Sequence, residues 1–138
     1  MSAKSLTNTG IINAAGGTST QALINIGSAA GFGTAGALSG AVNMSGDSAI
    51  EFVSGTITTI ASGASLTMNG ASAFIENQKG LGSNSALTTL DFNNGAVSLH
   101  NSVHIASSNG FANNAGAHLN IDTNPGRAER MSPSWPGS

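Results

Sequence analysis

The chain repeats a short block in which glycine and alanine precede an alternation of apolar and small polar residues. After Gly63, for example, Leu66 and Met68 flank Thr67. Such an alternation gives an extended strand one apolar and one polar face, and the glycine lets the chain turn without a Cβ clash. The block occurs at residues 40–44, 63–68, 95–99 and 116–121. It predicts four equivalent strands.

The spacing of the blocks predicts a β-solenoid. Their first glycines stand at positions 40, 63, 95 and 116, so the intervals are 23, 32 and 21 residues, as in solenoid coils. The long middle interval predicts a loop at the turn-rich residues 77–85. Further strand candidates are residues 22–26, 49–52, 56–60, 73–75, 87–92 and 103–105. With about three strands and roughly 22 residues per coil, we expect an all-β parallel β-helix of about five to six coils.

Composition changes near the carboxyl end of the chain. All three prolines, the single tryptophan and both arginines fall within residues 125–138. Proline lacks the N–H that a strand ladder requires. We therefore divide the chain into a solenoid, residues 1–124, and a disordered proline-containing tail, residues 125–138.

Low charge excludes several functions. Charged residues make up 7% of the chain and the net charge is −2, so no basic surface exists for nucleic acid. No apolar run is long enough to insert into a membrane. Cysteine is absent, which excludes disulfides and thiolate metal sites. The first residues, with Lys4 as the one cation and no apolar stretch, do not form a secretory signal.

Three segments resemble the passenger repeats of Gram-negative autotransporters: residues 5–17, residues 57–71 and residues 84–90. The similarity extends over about residues 5–124 and implies a right-handed parallel β-helix at the cell surface or in a secreted protein. It also implies a non-enzymatic structural or adhesive role, with a host surface or carbohydrate as partner. The export signal and translocator barrel of that family are absent, so we expect a fragment of a longer protein.

Candidate catalytic groups are sparse. The acids of the repeat region are Asp47, Glu51, Glu76, Asp91 and Asp122. Asp47 and Glu51 form the one close pair, and no basic residue lies between Lys4 and Lys79. These acids are therefore expected to be scattered on the surface. The alternative is a non-catalytic piece of a carbohydrate-active β-helix, a lyase or hydrolase whose carboxylates lie elsewhere.

Two other patterns of residues bear on function. His100 and His104 are four residues apart, but on a strand they would be about 13 Å apart and could not share a metal. We expect solvent-facing histidines, with no metal and no cofactor. The threonines at 56, 58, 59 and 67 suggest an ice-binding solenoid, but the Thr-x-Thr pattern occurs once.

The candidate recognition site is the loop at residues 77–85. Lys79 offers a cation and Leu81 an apolar contact, with Glu76 close enough to pair with Lys79. Loops on a rigid scaffold can vary while coil positions are constrained by stacking. We expect this loop to be replaceable without loss of folding. Because neither end of the solenoid has an obvious polar cap, edge-to-edge self-association is also expected.

Overall fold

The computed structural model describes residues 1–123. The predicted tail, residues 125–138, lies outside the described residues. In chain order the strands are β1 (Ser2–Ala3), β2 (Ile11–Ala15), β3 (Ala22–Ala29), β4 (Ala37–Leu38), β5 (Ala41–Ser45), β6 (Ser48–Ser54), β7 (Thr59–Ile60), β8 (Ser65–Asn69), β9 (Ala73–Glu76), β10 (Phe92–Asn93), β11 (Ala96–His100), β12 (Ala112–Asn113) and β13 (His118–Asp122).

The strands form three sheets, and every strand pairing within them is parallel. The first sheet has the order β1-β3-β6-β9, the second β13-β11-β8-β5-β2 and the third β12-β10-β7-β4. Strands that follow one another along the chain lie in different sheets, so each sheet is revisited in turn. The prediction of an all-β chain with parallel sheets is confirmed.

The four repeated blocks become neighbouring strands of the second sheet. Ala41 aligns with Ser65, Ser65 with Ala96, and Ala96 with His118, without a register shift. Strand β2, which lacks the Gly-Ala block, adds a fifth rung through Ile11, opposite Ala41. The alternation predicted that the four blocks are equivalent strands. This is confirmed, because they pair with one another at equivalent positions.

The core consists of stacked side chains of the second sheet and its neighbours. One stack contains Val42, Leu66 and Val97, and all three are buried. The next inward position is filled by Met44, Met68 and Leu99, which are also buried. Burying a side chain of this size contributes about 1.5–3 kcal/mol, so the repeated rungs together supply most of the cohesion.

The prediction of a strand at residues 87–92 is wrong for residues 87–91, because β10 begins at Phe92. Ser85–Leu87 is a 3-10 helix, and the Leu90 amide donates to the Leu87 carbonyl. Leu87 and Leu90 are both buried, which a turn with three-residue spacing achieves and a strand does not. Within residues 1–123 no helix is long and apolar enough to cross a membrane.

The expected strand at residues 103–105 is also absent, although Val103 and Ile105 pack against the core. The Asn84 side chain lies between this segment and β9. Its Oδ1 accepts from the Ile75 amide at 2.8 Å, and its Nδ2 donates to the His104 carbonyl at 2.9 Å. The Asn84 side chain thus makes the hydrogen bonds that a paired strand would make with its backbone, and residues 103–105 pair with no strand.

The glycine before β11 provides a test of coil stacking. A Cβ at Gly95 would lie 2.2 Å from the Ala64 carbonyl oxygen and 2.6 Å from that of Ala61, both backbone atoms of the preceding rung. We predict that Gly95→Ala lowers the free energy of unfolding by about 3 kcal/mol, because backbone cannot move aside as a flexible side chain can. Denaturant unfolding would measure it.

Gly10, just before β2, is the matched control, since a Cβ there meets nothing within 4 Å. Gly10→Ala should change the free energy of unfolding by no more than about 0.5 kcal/mol. Equal effects of the two substitutions would contradict the close stacking at Gly95.

Candidate functional site: a buried carboxyl pair under the 77–84 loop

A row of polar residues crosses the first sheet from strand to strand. Ser2 on β1 aligns with Asn25 on β3, Asn25 with Glu51 on β6, and Glu51 with Glu76 on β9. The residues beside Glu51, Ile50 and Phe52, point into the core. Because successive side chains of a strand point to opposite faces, the polar row lies on the outer face.

The two glutamates of this row are nevertheless buried. Glu51 is 6% exposed and Glu76 is 2% exposed. The cause is the loop formed by residues 77–84, here called the 77–84 loop, which folds back over the sheet. The Gly80 amide donates to Glu51 Oε2 at 2.8 Å, and the Gly82 amide donates to Glu76 Oε1. The two carboxyl groups therefore hold the loop through its backbone.

Burial and proximity change the ionisation of Glu76. Burial raises its pKa, as does the neighbouring Glu51 carboxyl group, although the Gly82 and Ser83 amides oppose this. Glu76 therefore keeps its proton to a higher pH than an exposed carboxyl group does.

Two side chains fasten the ends of the 77–84 loop. The Ser85 hydroxyl accepts from the Asn77 amide at 3.0 Å, and Asn84 bonds the Ile75 amide and the His104 carbonyl. With the two glutamates, these contacts attach the loop at its start, middle and end. It is therefore an ordered cover of the first sheet.

The outer face also contains a cavity next to Glu51. Its volume is about 320 Å³, and its wall includes Ser2, Asn25, Glu51, Val53 and Lys79. Among residues 1–123, no three histidine, cysteine or acidic side chains are grouped closely enough to hold a metal ion.

The residues of the predicted recognition loop lie on its outer side. Lys79 is exposed and Leu81 is 47% exposed. The expected pair between Glu76 and Lys79 is wrong, because Glu76 points under the loop to the Gly82 and Ser83 amides. Lys79 instead lines the cavity beside Glu51. The loop thus presents a cation and an aliphatic side chain from a fixed backbone.

The expectation of scattered surface acids is wrong for Glu51 and Glu76. Asp47, the residue expected to be near Glu51, lies in the turn before β6 and accepts from Gln21 at 3.2 Å. The sequence did carry a signal for the true pair. Both glutamates follow an isoleucine, at Ile50-Glu51 and Ile75-Glu76, which is the same strand position in adjacent rungs.

The two histidines lie in different surroundings. His100 ends β11, and its Nδ1 bonds the carboxylate of Asp122, its register partner on β13. Asn101 and Ser102 then turn the chain with φ of 56° and 71°, so His104 does not continue the strand. The assumed geometry of one strand carrying both histidines is wrong.

A comparison with protein-family models, with curated proteins and with solved structures finds no match for this chain.

The raised pKa of Glu76 predicts a pH-dependent stability. In a window that begins at the ordinary value of 4.5, the folded chain holds a proton that the unfolded chain has lost. Folding is therefore favoured at the acid end of this window, and that contribution is lost as pH rises through the folded pKa. We predict that melting temperature falls between pH 4.5 and the folded pKa, and that Glu76→Gln flattens the profile.

The reason is that glutamine cannot ionise, while its side-chain oxygen can still accept from the Gly82 amide at every pH. Asp47→Asn is the control, since Asp47 lies outside the pair and should leave the wild-type profile intact. A Glu76→Gln profile as steep as that of the wild type would refute the raised pKa of Glu76.

The anchoring of the loop revises the expectation that it can be replaced freely. Exchanging residues 77–83 for a Gly-Asn turn removes the amide donors of two buried carboxyl groups, at a cost of about 1–3 kcal/mol for each. We predict a clear loss in the free energy of unfolding, measured in denaturant. The double variant Lys79→Ala, Leu81→Ala, which leaves the amides in place, should unfold like the wild type.

Proposed function

We propose that this chain is part of a right-handed parallel β-helix of about five coils, acting as a structural and adhesive segment of a surface-exposed protein. The observation that carries the proposal is the uninterrupted register of the five strands in the second sheet. Each strand supplies one rung of a coil. Right-handedness is supported by the twist of β-strands, which favours right-handed crossovers between parallel strands.

The adhesive part of the proposal depends on the 77–84 loop. Binding residues are commonly placed on loops that a rigid scaffold positions. Here the scaffold supplies a stacked core and two buried carboxyl groups that fix the loop, while Lys79 and Leu81 remain outside. A host surface or a carbohydrate is the partner we propose. The location at the cell surface or in a secreted protein comes from the resemblance to autotransporter passengers.

The carboxyl pair also offers the best argument for the alternative, a carbohydrate-active β-helix. Acid–base catalysis commonly uses two carboxyl groups, one of them with a raised pKa, and Glu76 beside Glu51 has that composition. Both groups, however, are almost wholly buried and bond to loop amides. A catalytic pair must reach its substrate, so this arrangement favours an anchoring role.

An ice-binding role receives less support from the register. Flat threonine arrays require threonine at the same position of successive rungs. Thr59 aligns with Ala37 and Phe92 instead, and Thr67 aligns with Asn43 and Ser98.

Edge-to-edge self-association is proposed for the end formed by β13. Leu119 and Ile121 occupy the positions that Val97 and Leu99 occupy one rung earlier, yet they are 40% and 66% exposed. Apolar side chains beside an edge strand favour pairing with another strand.

The adhesive role predicts that substitutions of Lys79 and Leu81 in the 77–84 loop weaken attachment, whereas similar substitutions elsewhere do not. Beads carrying the full chain should attach to cultured epithelial cells or immobilised glycans, and Lys79→Ala with Leu81→Ala should weaken attachment by about tenfold, since few residues dominate an interface. Bead counts under flow would measure it.

The matched control removes the same chemistry elsewhere. Lys4 is exposed and Ile11 is 70% exposed, so Lys4→Ala with Ile11→Ala also deletes one cation and one aliphatic side chain. This variant should attach like the wild type. Wild-type beads that attach no better than uncoated beads would overturn the adhesive proposal and leave the structural one.

A further inference from the structure

Three asparagines of the chain are followed directly by glycine: Asn69, Asn94 and Asn109. In such a pair the backbone nitrogen of the glycine can attack the side-chain carbonyl carbon of the asparagine, because glycine has no Cβ to hinder the approach. All three asparagines are exposed to water. Their sequence and exposure therefore do not distinguish the three sites, whereas their hydrogen bonds do.

The Asn69 pair is held on both sides of the bond that must rotate. Asn69 is the last residue of β8 and pairs with Ser45 on β5 and His100 on β11. Its side-chain Oδ1 accepts from Asn101 at 2.7 Å, and the Gly70 amide donates to the His100 carbonyl at 2.9 Å. Attack by the Gly70 nitrogen would break this last hydrogen bond and turn the end of a paired strand.

The Asn94 pair, between β10 and β11, is held in a similar way. The Asn94 amide donates to the Ile60 carbonyl at 3.0 Å, and Asn94 Oδ1 accepts from Asn114 at 2.6 Å. The Gly95 amide donates to the side-chain oxygen of Asn93 at 3.0 Å. The close packing of Gly95 on the backbone of the preceding rung also opposes rotation of this pair.

The Asn109 pair lacks these contacts. Within residues 1–123 its one hydrogen bond runs from the Ser107 hydroxyl to the Asn109 carbonyl, at 3.2 Å. Beyond the two chain neighbours, no atom lies within 4 Å of the position of a Cβ at Gly110. The nearest backbone bonds to other segments are those of the Ser108 and Ala112 amides, at 2.7 Å each. Rotation between Asn109 and Gly110 therefore breaks no hydrogen bond to another strand.

We propose that Asn109 is a site of spontaneous deamidation. The Gly110 nitrogen bonds to Asn109 Cγ, the Cγ–Nδ2 bond breaks, and Nδ2 leaves as ammonia with the proton of the Gly110 amide. Water then adds to one of the two carbonyl carbons of the succinimide ring and opens it, which gives aspartate or isoaspartate. The product adds one negative charge to a chain whose net charge is −2.

The experiment is to keep the full chain in mildly alkaline buffer and to follow each of the three asparagines by fragmentation mass spectrometry of its peptides. Anion exchange separates the more acidic product. We expect Asn109 to react at least about fivefold faster than Asn69 and Asn94, since each of those pairs must first lose a backbone hydrogen bond. In guanidinium chloride, where the chain is unfolded, the three rates should be similar.

Two variants test the reaction itself. Gly110→Ala should slow the loss of the Asn109 amide about fivefold, because alanine restricts the rotation that brings the nitrogen to Cγ. It should melt like the wild type, since its Cβ enters open space. Asn109→Asp should elute with the aspartate product of the wild type and should remove the fastest-forming acidic species.

Three results would overturn the proposal. The first is conversion of Asn69 or Asn94 in the folded chain as fast as that of Asn109. The second is the same order of rates in the unfolded chain, which means that local sequence and not the fold selects the site. The third is an Asn109 that does not react while the unfolded chain does, or that reacts equally fast in Gly110→Ala.

Discussion

The whole structure depends on parallel strands that stack in one register. Each of the inner strands of the second sheet, β5, β8 and β11, satisfies its backbone with the strands on either side, so a residue's neighbours are its equivalents in adjacent coils. Like therefore stacks on like. Val42 meets Leu66, and Asn43 donates to Asn13 at 2.9 Å on the opposite face. Small and medium side chains suffice for such a core because every rung repeats the same cross-section.

The same constraint creates a costly feature in the first sheet. Register places Glu51 directly opposite Glu76, and two carboxylates at that separation repel each other. The chain resolves the conflict in two ways. Glu76 keeps a proton at higher pH than an ordinary carboxyl group, and the 77–84 loop supplies amides to both side chains. The two carboxyl groups thus also hold the 77–84 loop against the first sheet.

The loop in turn changes what the neighbouring surface can do. By covering the glutamates it closes one side of the cavity at Asn25 and leaves Lys79 and Leu81 facing outward. The proposed adhesive surface depends on the anchoring contacts of the loop, because these contacts fix the backbone that carries Lys79 and Leu81.

Four of the five strands of the second sheet, β5, β8, β11 and β13, and the position of the long loop could be predicted from the amino-acid sequence, whereas β2 was missed. Apolar alternation after glycine is a local property, and it is visible without knowledge of any partner strand. Residues 77–91 do connect β9 to β10, whereas residues 55–58 connect β6 to β7, so the longer interval was correctly attributed. The short strands of the third sheet and the 3-10 turn at Ser85–Leu87 were less visible, because two or three residues are too few to show a period.

The burial and the hydrogen-bond partners of the charged and amide side chains depend on contacts between segments that are distant in the chain. Glu51 and Glu76 lie far apart in the chain, and their burial depends on a register and on a loop that returns over the sheet. No strand forms at residues 103–105, where the Asn84 side chain connects the His104 carbonyl to the Ile75 amide. No local sequence pattern predicts this connection. Backbone periodicity follows from neighbours along the chain, whereas desolvation and hydrogen-bond partners follow from neighbours in space.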